Sequence, residues 1–316
     1  MRSYVLRRLA LVTPTLVGVT VVIFAAMRLL PGDIVDQMTA EYHGAISDED
    51  RKAMAARYSL DEPFHRQYLS WMGELARGDL GTSFLSGRSV TSDLRQHVPV
   101  SMELGVLAIM LAALVGVPAG VLSAVWQNST VDYLVRTVAV LGLAIPSFWL
   151  ALLAIGYGFQ WFGWTPPIQY EHLWVDPASN LKIVIVPAVI LAAHLIAMTM
   201  RLTRSSMLET LREDFVRTAR AKGLREQTVV LRHALRVSAA PVVTIIGLQI
   251  PIVIGGTVIL ESIFALPGMG RMLLNSITSR DYPVVQAIVL LSALVVIATN
   301  IVVDLAYAVI DPRIKL

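Results

Sequence analysis

Cysteine is absent from the 316 residues of this chain, and charged residues make up only 16% of it. The first absence excludes disulfides, thiol nucleophiles and cysteine-based metal sites. The second separates the chain from soluble domains, in which about 25% of residues are charged. Hydrophobic residues make up 55% of the sequence and the mean hydropathy is +0.65. This composition predicts an all-α protein that crosses a membrane several times.

Motifs for catalysis and for nucleotide binding are also missing. The sequence has no G-x-x-x-x-G-K-[ST] phosphate loop, no H-E-x-x-H and no G-x-S-x-G. Ionisable residues within the apolar stretches are few, chiefly His194, Glu261 and Asp304, whereas proton-coupled carriers line their paths with such groups. A lone histidine in an apolar span is typical of interhelical hydrogen bonding, so we expect no metal site. These absences favour a pore-forming subunit that a separate motor drives.

Long apolar stretches are abundant, and a helix needs about 20 residues to cross the hydrocarbon core. Six stretches are long enough: 9–29, 100–125, 135–162, 183–203, 238–263 and 284–309. Pro146 in the third stretch and Pro251 in the fifth are expected to kink their helices. The sequence therefore predicts six transmembrane helices.

Basic residues indicate the orientation of these spans. They cluster in the N-terminal segment, in 201–236 and in the C-terminal tail at Arg313 and Lys315. If the chain crosses the membrane six times, these three segments lie on the same side of it. By the positive-inside rule that side is cytoplasmic, so both termini are predicted to be cytoplasmic. The opposite side receives the polar segment 31–99, which we expect to form a small extracytoplasmic lobe. With neither repeats nor linkers visible, 1–316 is predicted to be a single domain.

The most charged part of the chain lies between the fourth and fifth spans. Residues 201–236 hold nine Lys or Arg and four acidic residues. The core of this segment is EDFVRTARAKGL (213–224). Two of its apolar residues continue the helical spacing of two earlier ones, and the four are Leu208, Leu211, Phe215 and Ala219. Gly223 follows two cations and is a suitable helix stop. The pattern predicts a short helix with a basic face.

The A-R-A-K-G-L run at 219–224 resembles the cytoplasmic loop of ABC importer permeases, whose short coupling helix docks on an ATPase subunit. The general importer pattern has Glu-Ala-Ala, three residues and Gly. This chain has Arg217, Thr218, Ala219 and Gly223 at those positions, so only the second Ala and the Gly match. The proline that ends the general pattern falls on Arg236. Arginine in place of glutamate resembles the dipeptide, oligopeptide and nickel branch.

Other runs resemble the B-type permease subunit of the same branch. They are LLPGD (29–33), RGDLGTSF (77–84), ESIFALPGMGRML (261–273), RDYP (280–283) and DLAYAVIDPRIKL (304–316). The resemblance covers nearly the whole chain. It implies the type I ABC importer permease fold in a bacterial cytoplasmic (inner) membrane. It also implies a related C-type permease, two ATP-binding cassette ATPases that bind ATP and Mg, and an extracytoplasmic peptide-binding protein.

The resemblance also implies roles for particular residues. We expect coupling to the ATPases to involve Phe215, Arg217, Ala219, Arg220, Lys222, Gly223 and Leu224, although the cations alone would also serve membrane topology. An outer gate is expected at Pro267, Gly268 and Gly270, although the turn chemistry of this run by itself favours an ordinary loop. Glu261 there is expected to pair with Arg271 or, less favourably, to contact substrate.

The implied function is that of a non-catalytic permease subunit for dipeptides or oligopeptides, which forms half of a translocation path. No cofactor is expected on this chain, and no nucleic-acid partner, since the formal net charge is only +3. Nickel, glutathione or another peptide-like solute are alternative substrates. A secondary transporter is a distant alternative, because neither inverted repeats nor paired breaks in apolar segments are visible.

Overall fold

The structure, a computed structural model, describes residues 2–29, 32, 34–41, 47–167 and 169–310. Much of the LLPGD run and the basic tail at Arg313 and Lys315 lie outside these residues. The described part is helical, and the extended pairing within it is one bridge between Thr82 and Ser89. The helices are α1 (Arg2–Leu29), α2 (Ile34–Glu41), α3 (Asp48–Arg57), α4 (Phe64–Ala76), α5 (Val90–Leu111), α6 (Val117–Val125), α7 (Thr130–Ala144), α8 (Ser147–Phe162), α9 (Pro177–Thr210), α10 (Asp214–Ala221), α11 (Glu226–Thr228), α12 (Leu235–Ile263), α13 (Met269–Thr278) and α14 (Tyr282–Ile310). Two π-helical segments, Ala112–Gly116 and Val229–Ala234, join α5 to α6 and α11 to α12.

Membrane-spanning helices agree with the predicted number if one bent pair counts as a span. Within the described residues, five segments are long and apolar enough to cross a membrane by themselves, and α7 with α8 would form a sixth that is bent by 98°. The bend lies at Pro146, which is extended at φ −65° and ψ 139° and precedes α8. The predicted kink is thus a break between two helices. Pro251, in contrast, lies inside the continuous helix α12.

Two compact units make up the fold, Met1–Pro99 with Gly268–Ile297 and Val100–Pro267 with Ala298–Leu316. In the second unit, α9 is the central helix, and its buried residues form much of the core with α5, α8 and α12. The segment 31–99 contributes α2, α3 and α4 to the first unit. The prediction of one domain with an extracytoplasmic lobe stays a prediction.

Glycine allows helix α6 to approach α9 closely. A Cβ atom built on Gly120 would lie 2.6 Å from Thr203 Cβ and 2.8 Å from the carbonyl oxygen of Met200. A Cβ atom built on Gly116, four residues earlier, would lie 2.8 Å from Thr199 Cβ. This is the small-xxx-small spacing by which membrane helices pack backbone to backbone.

A buried ion pair fixes the turn between α6 and α7 to α9. Asp132 has no exposed surface, and Arg204 donates to its two carboxylate oxygens from Nε at 2.7 Å and Nη2 at 2.9 Å. Ser123 Oγ (2.6 Å) and the Asn128 backbone N–H (3.0 Å) also donate to this carboxylate. Because every oxygen has donors, the charge is compensated within the fold.

In the first unit, two of the runs that carried the family resemblance come together. Asp281 of RDYP accepts hydrogen bonds from Ser83 Oγ at 2.5 Å and from the Phe84 backbone N–H at 3.1 Å, both of RGDLGTSF. Tyr58 packs against Phe84 with a ring-centroid distance of 4.4 Å. The core of this unit includes Val90 and Ile288. The two runs therefore define one local structure, although they are far apart in sequence.

Candidate functional site: the segment between α9 and α12

The charged connection between the fourth and fifth spans is largely helical. Helix α9 continues to Thr210 and α11 begins at Glu226, so 211–225 joins these two helices. The cytoplasmic coupling loop over 201–236 stays a prediction, and charge alone does not end a helix. Arg204 shows the reason: its side chain stays within the helical bundle by pairing with Asp132.

Helix α10 has well-defined ends. It starts after Glu213, which is extended at φ −68° and ψ 150°, and Asp214 in the first turn complements the helix dipole. At the other end, Gly223 has φ +76°, its N–H bonds to Arg220 O, and the Leu224 N–H bonds to Ala219 O. These two bonds form a Schellman cap, so the predicted glycine stop is confirmed.

Replacing Gly223 by alanine is expected to loosen this cap. No atom lies within 4 Å of a Cβ at this position, so the cost comes from the left-handed backbone alone and is about 1 kcal/mol. Amide hydrogen exchange of 214–224, measured by mass spectrometry, should accelerate about fivefold. Gly73→Ala, also with an unobstructed Cβ but with an ordinary helical φ, is the control and should leave exchange in α4 unchanged or slower.

The buried face of α10 differs from the predicted one. Val216 and Ala219 are buried and pack with Val229 and Leu211, whereas Phe215 is 40% exposed. The prediction that Leu208, Leu211, Phe215 and Ala219 form one helical face treated the end of α9 and α10 as one helix. The turn at 211–213 resets the helical phase, so the apolar residues before it do not predict those after it. Ala219 is therefore part of this chain's own core.

The outer surface of the segment carries two exposed apolar side chains among cations. Leu224 is 41% exposed, similar to Phe215. Arg220 forms a two-point ion pair with Glu226, with Nη2 at 2.7 Å and Nε at 3.1 Å from its oxygens, across the Gly223 turn. These hydrogen bonds raise the pKa of Arg220 above its ordinary value, so this cation stays charged.

The other cations of the segment differ in their contacts. Arg217 lies 3.3 Å from Asp214, and both side chains are exposed. Lys222 is exposed at the C-cap of α10. Arg217 and Arg220 thus both have acidic partners within the chain. The Arg220–Glu226 pair links the end of α10 to the start of α11, a structural role that the sequence did not indicate.

The predicted gate residues do not form a glycine turn. Gly268 is the extended N-cap of α13, and Gly270 is buried in its first turn. The left-handed residue of this region is Ala265, at φ +55°. The LPGMG run thus leads into a helix start: α12 has already ended at Ile263, Gly268 is the N-cap, and Met269 begins α13.

Glu261 lies in the last turns of α12 and is fully buried. Its Oε1 accepts a hydrogen bond from Ser101 Oγ at 2.6 Å. The pairing of Glu261 with Arg271 stays a prediction, as does the role of Pro267. Within the described residues, no three His, Asp or Glu side chains are grouped so as to hold a metal ion.

Sequence reasoning missed several residues that support this segment. Val216 and Val229 anchor α10, and Asp132 pairs with Arg204 on the helix that leads into it. Val216 is next to Phe215 of the predicted face, but the sequence does not show that Val216 points inward, because its orientation depends on where α9 ends. Nothing in the sequence links Asp132 to Arg204, which are 72 positions apart.

Apolar helices of spanning length, joined at one point by a short capped helix with an exposed basic surface, define a multi-pass membrane protein of the transport-permease class. A family model described as "Binding-protein-dependent transport system inner membrane component" matches residues 116–316. The chain belongs to this family. It is accordingly an ABC importer permease subunit of the inner membrane, as the sequence predicted.

Curated relatives match along the full chain. The oligopeptide transport system permease protein AppB of Bacillus subtilis is 39% identical, with 100% of both chains covered. The dipeptide transport system permease protein DppB of Escherichia coli K12 is 39% identical, covering 100% of this chain and 99% of that one. The di/tripeptide transport system permease protein DppB of Pseudomonas aeruginosa is 38% identical at the same coverage.

The fold has a counterpart among solved structures. An inward-facing structure of the MetNI methionine ABC transporter aligns with a TM-score of 0.55, covering 69% of this chain and 96% of that chain. Its sequence identity is 15%, so this similarity concerns the fold alone. The predicted type I ABC importer permease fold is confirmed.

Proposed function

We propose that this chain is the B-type permease of an importer for dipeptides or oligopeptides. It forms half of the translocation path, with a related C-type permease as the other half. Two ATPase subunits bind and hydrolyse ATP with Mg, so this subunit is itself non-catalytic, and an extracytoplasmic binding protein delivers the peptide. The names of the full-length relatives support the peptide substrate.

The observation that carries the coupling role is the two-sided construction of α10. Its inner face, Val216 and Ala219, packs against Val229 within this chain, while Phe215 at the edge of that face and Leu224 after the end of α10 remain partly exposed. An exposed aromatic and a leucine surrounded by cations match a helix-in-groove contact with an acidic rim. We therefore assign Phe215 and Leu224 as the groove contacts and Lys222 with Arg217 as the rim contacts.

Transmission from α10 to the spans follows from the same packing. A displacement of the docked helix acts on Leu211 at the end of α9 and on Val229 in the π-helical segment that leads into α12. The Arg220–Glu226 ion pair and the Gly223 cap keep the segment rigid, so closure of the ATPases moves α9 and α12 together. The cytoplasmic side is then the side of 211–225, and the outer gate lies at the opposite end of α12, near Glu261, Pro267, Gly268 and Gly270.

Phe215→Asp combined with Leu224→Asp is expected to release the ATPases. Each substitution places a carboxylate in an apolar contact, which costs about 1–3 kcal/mol, so association should weaken about tenfold or more. The measurement is copurification of the ATPase subunits with tagged permease, together with uptake of a labelled dipeptide by whole cells. Membrane insertion should be unchanged, because neither side chain belongs to the core of this chain.

The matched control is Phe64→Asp, at an exposed phenylalanine of α4 in the other unit. It should leave copurification of the ATPases unchanged. Retention of the ATPases and normal uptake in the Phe215→Asp/Leu224→Asp variant would falsify the coupling role. If an excess of a nickel complex or of glutathione abolishes uptake of the labelled dipeptide by the wild type, that solute replaces peptides as the assigned substrate. The coupling role is not affected by this result.

A further inference from the structure

The first unit contains a cavity that the coupling role does not use. Its volume is about 460 Å³, within the range of sites that hold small molecules. Part of its wall is the structure in which Ser83 and Phe84 are bonded to Asp281. Residues of the RGDLGTSF run and Tyr282 of the RDYP run line it. Two separate sequence runs thus build one concave site.

Arg28 lines this cavity as a cation that has no acidic partner among the residues that the structure describes. Its Nε donates to the neutral amide oxygen of Gln67 at 2.7 Å, and its guanidinium carbon lies 3.8 Å from the ring centroid of Phe24 and 5.0 Å from that of Tyr282. Its Nη1 is buried and has no hydrogen-bond acceptor, and no carboxylate pairs with Arg28 in the described part of the chain. Aromatic rings stabilise a cation only in part, so a place for an anion remains.

Gln286 is a second polar residue on the wall of the same cavity. Its side chain is only 3% exposed, and its Nε2 has no acceptor among the described residues. A buried N–H without an acceptor costs about 1–3 kcal/mol, and folded proteins leave few such donors unpaired. A group with two acceptor oxygens and a negative charge would satisfy both Arg28 and Gln286.

Carboxylates on the same wall decide which anion suits the cavity. Glu62, Glu74 and Asp79 also line it. They would repel a multiply charged phosphate but would attract an ammonium group. We propose that this cavity binds a small zwitterion with peptide-like termini, whose carboxylate contacts Arg28 and Gln286 and whose ammonium group faces the acidic residues. The choice of a peptide among zwitterions rests on the proposed function.

The test measures binding of L-alanyl-L-alanine to the full-length chain in phosphatidylcholine nanodiscs by isothermal titration calorimetry, without the binding protein. We expect saturable binding that weakens at least tenfold in Arg28→Gln and is partly retained in Arg28→Lys, since a charged hydrogen bond contributes about 1.5–3 kcal/mol, equivalent to about 10-fold to 150-fold. The carboxamide L-alanyl-L-alaninamide should not bind measurably. N-acetyl-L-alanyl-L-alanine, which lacks the ammonium group, should bind more weakly than the free dipeptide.

Arg66→Gln, at an exposed arginine of α4 that does not line the cavity, is the matched control and should bind the dipeptide normally. Gln286→Leu removes the unsatisfied donor, so it should raise the thermal midpoint of the ligand-free protein while lowering dipeptide affinity. This opposite movement separates a binding role from a structural one.

Equal dipeptide affinity in wild type and Arg28→Gln, with both folded by their thermal midpoints, overturns the proposal, as does equal binding of the carboxamide. Displacement of the dipeptide by phosphatidylglycerol added to the nanodiscs assigns the cavity to a lipid phosphate and overturns it too. Because ATPase copurification does not depend on this cavity, failure here leaves the coupling role standing.

Discussion

Arg204→Ala should lower the free energy of unfolding by about 3–5 kcal/mol, because it leaves the carboxylate of Asp132 buried without its cation. Ser123 and the Asn128 N–H still donate to the carboxylate, but neither supplies charge. Removing one partner of a buried pair costs far more than the pair contributes relative to apolar residues. The measurement is equilibrium unfolding of the purified chain in mixed micelles.

Two comparisons make this prediction specific. Arg217→Ala removes an arginine from an exposed ion pair with Asp214 and should cost less than about 1 kcal/mol. The double substitution Asp132→Leu/Arg204→Met should recover much of the lost stability, because no charge then remains buried. A similar loss in Arg204→Ala and Arg217→Ala would show that the buried pair has no special weight.

Gly120→Ala should destabilise the contact between α6 and α9 by about 2–3 kcal/mol. The added methyl group would lie 2.6 Å from Thr203 Cβ and 2.8 Å from the Met200 carbonyl oxygen, and the second of these is backbone. A backbone atom cannot rotate away, so the helices have to separate and the packing around them loosens. The same unfolding measurement applies, with faster hydrogen exchange expected in 117–125.

Gly156→Ala in α8 is the control for this substitution. A Cβ there meets no atom within 4 Å, so the change should be neutral or slightly stabilising, as alanine favours the helix over glycine. If both alanine variants unfold alike, the close approach at Gly120 does not limit stability.

The spans and the short helix illustrate what local pattern predicts well. Apolar length predicted the approximate positions of five spanning helices and of the bent pair α7 and α8, since burial in lipid demands a continuous apolar segment. Gly223 was recognised as a stop because the left-handed cap is a local preference of glycine. Local pattern was less decisive for the LPGMG run, because Pro and Gly are compatible with a turn and with the start of a helix, and α13 begins within this run.

The sequence by itself determined the class of this protein: its apolar lengths require a membrane, and its motif order along the whole chain indicates an importer permease. Tertiary structure alone decided which face of α10 is exposed, that Arg204 neutralises Asp132, and that Arg28 borders a cavity together with Gln286. The physical reason is that composition and periodicity act over one or two helical turns, whereas packing faces, ion pairs and cavities depend on residues that are distant in sequence and meet only when the chain folds.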